Sequence, residues 1–161
     1  MRRIAAAVLA VLLGAAAALL PVPVLKKHLT VQNAETGEVY AAQEVHAGDV
    51  LEFGWTHSFE HIPWNEYYEI LDDDSFLLHT ISVTGFGAGI PAEMDVSYRY
   101  EDGLIYMDGI ESRFPEFHWI NSHTALREIR LNGELLLKGS DMPHHKKMIL
   151  FVRGEKSWLT H

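Results

Sequence analysis

The chain has 161 residues, enough for one domain with a real core and short for two. Beyond residue 27, nine Lys and Arg stand against all 22 Asp and Glu, a formal charge of −13 with His neutral. That balance argues against a nucleic-acid-binding surface, which needs a basic face to displace counterions from phosphates, and the absence of cysteine excludes a disulfide framework, a thiolate nucleophile and Cys-based metal sites.

In chain order, Arg2 and Arg3 precede an uncharged run from Ile4 to Leu25, which Lys26 and Lys27 close. About 20 apolar residues are what a helix needs to cross the hydrocarbon core. Two readings compete: a cleavable signal peptide, with small residues at Ala16-Ala17-Ala18 near a cut, and an uncleaved signal anchor. The anchor is favoured because the run is longer than the roughly 7–15 residues of a signal h-region. Pro21 and Pro23 end the helix, since proline blocks its continuation. Residues 1–28 are therefore expected to be an anchor or signal peptide, with residues 4–25 in the membrane, and 29–161 an exported domain. A short leading tail and an acidic following domain favour the extracytoplasmic, periplasmic side, although Lys26 and Lys27 offset Arg2 and Arg3 under the positive-inside rule. Cleavage would release the domain into the periplasm.

From Leu29 onward the pattern is β. Turn signals recur every 8 to 12 residues or so, the spacing of a sandwich or barrel. They are Thr36-Gly37, Ala47-Gly48-Asp49, Asp72-Asp73-Asp74, Glu101-Asp102-Gly103 and Asn132-Gly133. Leu51, Phe53, Trp55 and His57 alternate with Val50, Glu52, Gly54 and Thr56, a period of two. Val96, Tyr98 and Tyr100 alternate with Ser97, Arg99 and Glu101 before the turn into Leu104 to Met107. Arg127 to Leu131 and Glu134 to Leu137 flank Asn132-Gly133, which accepts the positive φ angles of a type I′ hairpin. Met148 to Val152 makes a final apolar strand. Only Ser122 to Ile129 reads as a short helix, with Ser122 as its N-cap. The expected fold is all-β: a single antiparallel β-sandwich or barrel-like domain after one N-terminal transmembrane or signal helix.

The densest chemistry lies from Trp55 to Glu66. A hairpin there brings His57 and Glu66 near one another across its mouth. An imidazole and a carboxylate in hydrogen-bond range make a general base, or part of a divalent metal site with Glu60 or His61. The competing reading is structural: Glu66 or Glu60 fixes the tautomer of His57 and the shape of the loop. His57 and Ser58 do not read as a nucleophile and base, because neighbours on a strand point to opposite faces. Phe59, Ile62, Pro63 and Trp64 form an apolar, aromatic loop, half buried or a contact surface.

Gly85, Gly87 and Gly89, followed by Pro91, lack the spacing of a dinucleotide fingerprint and the Gly-Lys-Ser/Thr ending of a P-loop. They read as a bulge, a positive-φ turn or close strand packing, with a backbone anion nest as the sharper alternative. Ten histidines are scattered without a His-Glu-x-x-His pair. His144-His145-Lys146-Lys147 reads as an exposed turn, and His118 and His123 as the border of a pocket. Asp72-Asp73-Asp74 lacks the other ligands and the glycine of an EF-hand loop and reads as a solvated turn.

The order of these pieces resembles a bacterial family, the domain of unknown function 1850. The resemblance rests on Pro21-Val22-Pro23-Val24-Leu25 after the apolar run, on Thr56-His57-Ser58 with Glu60, on Pro63 with Glu66, and on Gly87-Ala88-Gly89 with Pro91. Phe59 and Trp64-Asn65 stand where smaller aliphatic residues are usual. The resemblance implies a small exported or membrane-anchored β protein, encoded beside tripartite TRAP-type transporters of the TAXI subclass.

Together these observations lead to the expectation of a membrane-anchored accessory or binding protein without enzymatic activity and without a cofactor. Its ligand or partner candidates are His57, Ser58, Glu60, Glu66, Gly85, Gly87 and Gly89. The resemblance implies that the partner is a TRAP-type transporter subunit or its solute-binding protein. The alternatives are a small metal-dependent enzyme or metal-binding protein using His57, Glu60 and Glu66, and a structural scaffold of the envelope.

Overall fold

A computed structural model describes the backbone of residues 22–87 and 95–159, and the side chains of residues 26–87 and 95–155. Its elements are all strands but for one 3₁₀ turn at Gly139–Asp141: β1 Val22–Asn33, β2 Val39–Val45, β3 Val50–Thr56, β4 Pro63–Ile70, β5 Phe76–Val83, β6 Ser97–Glu101, β7 Leu104–Phe114, β8 Phe117–Ile120, β9 Leu126–Leu131, β10 Glu134–Lys138 and β11 Lys147–Leu159. Among the described residues no helix is long and apolar enough to cross a membrane. The last four residues of the expected 4–25 segment are extended at the start of β1, and the rest of it lies outside the described residues.

The chain divides into two compact units. One comprises Met1–Lys26 with Glu155–His161, and its described residues are extended backbone; the other is Lys27–Gly154. The second unit holds two sheets. The four-stranded one has the order β2-β1-β11-β8, and the seven-stranded one β10-β9-β3-β4-β5-β7-β6. Its strand pairs run antiparallel, joined where the chain reverses by the expected turns. Asn132 and Gly133 have φ of 51° and 80°, and Asp102 and Gly103 51° and 76°. Two successive positive φ values are what a type I′ turn requires, and its twist matches that of the strands it joins.

Side chains alternate across the large sheet as the pleat dictates. Leu51 and Phe53 of β3, Tyr68 and Ile70 of β4, Phe76 and Ile81 of β5, Met107 of β7 and Ile129 of β9 are buried on one face. The small sheet adds Leu29, Val31, Met148 and Leu150 to the same core. Phe117 of β8 joins the two sheets, with its ring 4.8 Å from Tyr68, 4.8 Å from Phe76 and 5.1 Å from Phe53.

The expected helix at Ser122–Ile129 is not formed. Ser122 opens a turn in which its carbonyl accepts the N–H groups of Ala125 (3.1 Å) and Leu126 (3.0 Å). The chain then enters β9, where Leu126, Ile129 and Leu131 are buried against β3. An extra residue, Arg127, makes a bulge in that pairing: Gly54 faces Glu128 and Trp55 faces Leu126. The bulge breaks the apolar alternation, which is why the segment imitates a helical period in sequence. Arg127 repairs the ladder it interrupts. Its Nε donates to the Trp55 carbonyl at 3.1 Å, and its guanidinium also donates to Asn65 Oδ1, whose amide donates to Ser82 Oγ at 3.1 Å.

The Asp72-Asp73-Asp74 turn joins β4 to β5 and is more than a solvated tip. Lys27 Nζ donates to the Asp72 carbonyl at 2.5 Å and pairs with Asp74 Oδ1 at 2.6 Å. The point where the chain joins the second unit is thereby fastened to that turn.

Candidate functional site

β3 and β4 form a hairpin in which Thr56 faces Pro63, Trp55 faces Trp64 and Phe53 faces Glu66. The loop between them closes on itself. His57 N–H donates to the Ile62 carbonyl at 2.8 Å, and His61 N–H to the His57 carbonyl at 2.9 Å. His61, at φ 57°, takes the left-handed conformation that turns the chain back into β4. The Glu60 N–H donates to His57 Nδ1 at 3.2 Å, which leaves the ring proton on Nε2. A backbone group, rather than the carboxylate of Glu60 or Glu66, thus sets the tautomer. The His57 ring lies over Trp64, with centroids 5.7 Å apart and planes 26° from parallel.

Glu66 sits between Trp64 and Tyr68 on one strand face, with Trp55 across the hairpin. Its Oε1 accepts from Trp64 Nε1 at 3.0 Å; its Oε2 accepts from Trp55 Nε1 at 3.0 Å and from the Tyr68 hydroxyl at 3.1 Å. Two indoles and a phenol in an apolar cluster need an acceptor, because a buried donor left unpaired costs about 1–3 kcal/mol. Glu66 supplies it for all three. Burial first, then repulsion from the Glu66 charge and the hydrogen bond to it, push the Tyr68 hydroxyl well above the ordinary phenol range, so it remains a donor.

His57 and Glu66 do not hydrogen-bond to one another in this arrangement; they share a cleft. It is shallow, about 350 Å³, and lined by Trp55, Thr56, His57, Ser58, Trp64 and Glu66. His57 and Ser58 lie on it together because β3 ends at Thr56, so the strand rule that sends neighbours to opposite faces does not govern them.

The glycine segment meets the same loop. A Cβ on Gly87 would clash with Glu60 Oε1, so that carboxylate, the end of a flexible side chain, would have to move aside. Around Gly85 the space is open, and Gly89 lies outside the described residues. At Gly87 the close neighbour is the Glu60 side chain rather than a packed strand. Phe86 packs edge-on against Tyr98, with centroids 6.0 Å apart, while Phe59 at the loop tip is 71% exposed.

Among the described residues, no three His, Asp or Glu side chains converge in a way that could hold a metal ion. His57 Nδ1 is occupied by a backbone donor and Glu66 by aromatic donors. Elsewhere, His144 and His145 form the expected exposed turn, with His123 beside them: the His123 and His144 centroids are 4.8 Å apart. His118 borders a groove of about 320 Å³ with Trp119 and Ile120.

The residues that sequence reasoning missed are Trp55, Trp64 and Tyr68 as partners of Glu66. The two-residue spacing of Trp64, Glu66 and Tyr68 marks one strand face, but the hairpin register that adds Trp55 depends on the six-residue loop closure.

No curated protein and no solved structure matches the chain. Residues 51–136 match the family model described as a domain of unknown function, DUF1850. That span begins in the strand before the His57 loop, includes Glu66 and the glycine segment, and ends in β10; it covers just over half of the chain, which belongs to the DUF1850 family.

Proposed function

We propose that the chain is a membrane-anchored, extracytoplasmic accessory module whose β-sandwich-like domain binds a ligand or partner through the His57–Glu66 cleft. The observation that carries this reading is the use of the two groups. His57 is held at Nδ1 by the Glu60 backbone and Glu66 by Trp55, Trp64 and Tyr68, so both are spent on keeping the cleft in shape. A general base must reach the proton it takes, whereas in this hairpin His57 and Glu66 are engaged by groups of the hairpin itself. A preformed surface with fixed aromatic walls suits binding, since little ordering is left to be done on association. The segment 4–25 serves as the anchor. The family resemblance supplies the partner: a TRAP-type transporter subunit or its solute-binding protein.

The test is recovery of the intact protein from its native membranes after mild crosslinking, with partners identified by mass spectrometry. Transporter subunits are expected with the wild type and lost with Ser58→Tyr. Ser58 is exposed at the cleft and makes no bond in the hairpin ladder, so this variant blocks the cleft and leaves the melting temperature unchanged. A wild type that recovers no transporter subunit overturns the accessory role.

A further inference from the structure

We infer that the ligand of this cleft is a quaternary ammonium group, a trimethylammonium head of a small solute or of a lipid. The inference rests on the reading that the His57–Glu66 cleft is a binding surface, and it names the chemistry that the surface would take.

Charge decides first. Of the six residues lining the cleft, Glu66 is the acid, and neither Lys nor Arg is among them. The chain beyond residue 27 carries a formal charge of −13, a field that concentrates cations and repels anions. The state of the carboxylate decides next. A carboxylate offers about two acceptor positions per oxygen. Glu66 Oε2 already receives Trp55 Nε1 and the Tyr68 hydroxyl, whereas Oε1 receives only Trp64 Nε1 from its hydrogen-bonding partners. Three of the roughly four acceptor positions of Glu66 are therefore taken, and one, on Oε1, is left. A metal ion such as Ca²⁺ seeks six to eight oxygen ligands, and a primary ammonium brings three N–H donors. A quaternary ammonium brings none, so a carboxylate with a single open acceptor position suits it better than either.

The walls agree. Trp55 is stacked on Phe53, with centroids 5.4 Å apart, and Trp64 lies under His57. Each indole has one face taken by that ring. The electron-rich face of tryptophan is the strongest side-chain partner for an organic cation, and cages that combine it with a carboxylate hold methylated ammonium groups. At about 350 Å³ the cleft is of a size for a small head group.

The probe is choline, titrated into the purified full chain in detergent and followed by isothermal calorimetry and tryptophan fluorescence. Its controls are 3,3-dimethylbutan-1-ol, the uncharged isostere of the same shape, and ethanolamine. Saturable binding of choline at least tenfold tighter than of either control, abolished by Ser58→Tyr, is the expected result. Retention of the wild type on phosphatidylcholine vesicles beyond that of Ser58→Tyr assigns the group to a lipid head; equal retention of the two proteins assigns it to a free solute. Equal affinity for choline and the alcohol, or choline binding that survives Ser58→Tyr, overturns the inference. So does no choline binding while transporter recovery still depends on Ser58, and in that case the accessory reading stands. Choline binding with this discrimination, but no transporter subunit recovered, overturns the accessory reading and leaves the ligand class in place.

Discussion

Trp64 Nε1 donates to Glu66 Oε1 at 3.0 Å, two residues along the same strand face. With Trp55 and Tyr68 it makes the carboxylate the common acceptor of three donors, one buried phenol and two half-buried indoles. Glu66→Gln puts an N–H₂ where one of these donors needs an oxygen. It is expected to destabilise the domain by about 1–3 kcal/mol, read from urea unfolding. In a double-mutant cycle with Trp64→Phe the two losses should not add, since both remove one bond. Full additivity would show that the bond carries no stability.

Two phenylalanines six positions apart should behave oppositely. Phe53 is 1% exposed and touches the rings of Tyr68, Phe117 and Trp119. Phe53→Ala leaves a cavity at the joint between the sheets and is expected to cost about 3–5 kcal/mol. Phe59, 71% exposed at the loop tip, is expected to change stability by no more than about 0.5 kcal/mol on conversion to alanine. Thermal melts of the two variants decide.

Gly87 and Glu60 form a test of the contact between the two sequence motifs. Gly87→Ala places a methyl where the flexible Glu60 carboxylate lies, so that side chain must swing aside, and the amides of His57 and His61 should exchange only modestly faster. Glu60→Ala in the same chain removes the obstruction and should restore part of the protection. Equal exchange in Gly87→Ala with and without Glu60→Ala would place the strain elsewhere.

His144 gives the turn at 144–145 a pH dependence. Partial desolvation first, then the nearby His145 and His123, depress its pKa below the ordinary imidazole value of 6.5. The unfolded chain therefore binds this proton more readily than the native one. The linked stability is present above about pH 6.5 and is lost as pH falls through the depressed value. His144 Nδ1 also accepts the His123 N–H at 3.2 Å, a bond that protonation there would end. Melts of His144→Asn across this range should show a shallower acid loss than the wild type. An identical slope would mean that the turn opens without unfolding the domain.

Zinc or manganese added to untagged protein is expected to leave its melting temperature unchanged, because His57 Nδ1 is taken by the Glu60 N–H and Glu66 by three aromatic donors. A ligand that binds only the native state must raise its stability, so a metal-dependent rise in Tm would revive the metal-binding reading of His57, Glu60 and Glu66.

Much of the fold was legible where it depends on neighbours in sequence. Asn132-Gly133 and Asp102-Gly103 announce their hairpins through the φ angles they tolerate, and the alternation at Leu51, Phe53 and Trp55 marks a half-buried strand. The division into two sheets was not legible, because pairings such as Phe53 with Ile129 join residues far apart in the chain. Arg127 shows the same limit in reverse: one bulged residue was enough to make a strand read as a helix. At the site, the loop from His57 to Ile62 stood out through its polar residues and Pro63. The partnership of Glu66 with Trp55, and the contact of Glu60 with Gly87, needed a register and a distant loop that local spacing does not encode.

The grip of Lys27 on the Asp72–Asp74 turn has a mechanical meaning. β4 runs eight residues from Pro63, beside the cleft, to Ile70, beside that turn. At about 3.3 Å per residue the separation is roughly 25 Å. Lys27 and the cleft thus sit at opposite ends of one strand, so a change in the Lys27–Asp74 pair would have to travel the length of β4 to be felt at His57 and Glu66.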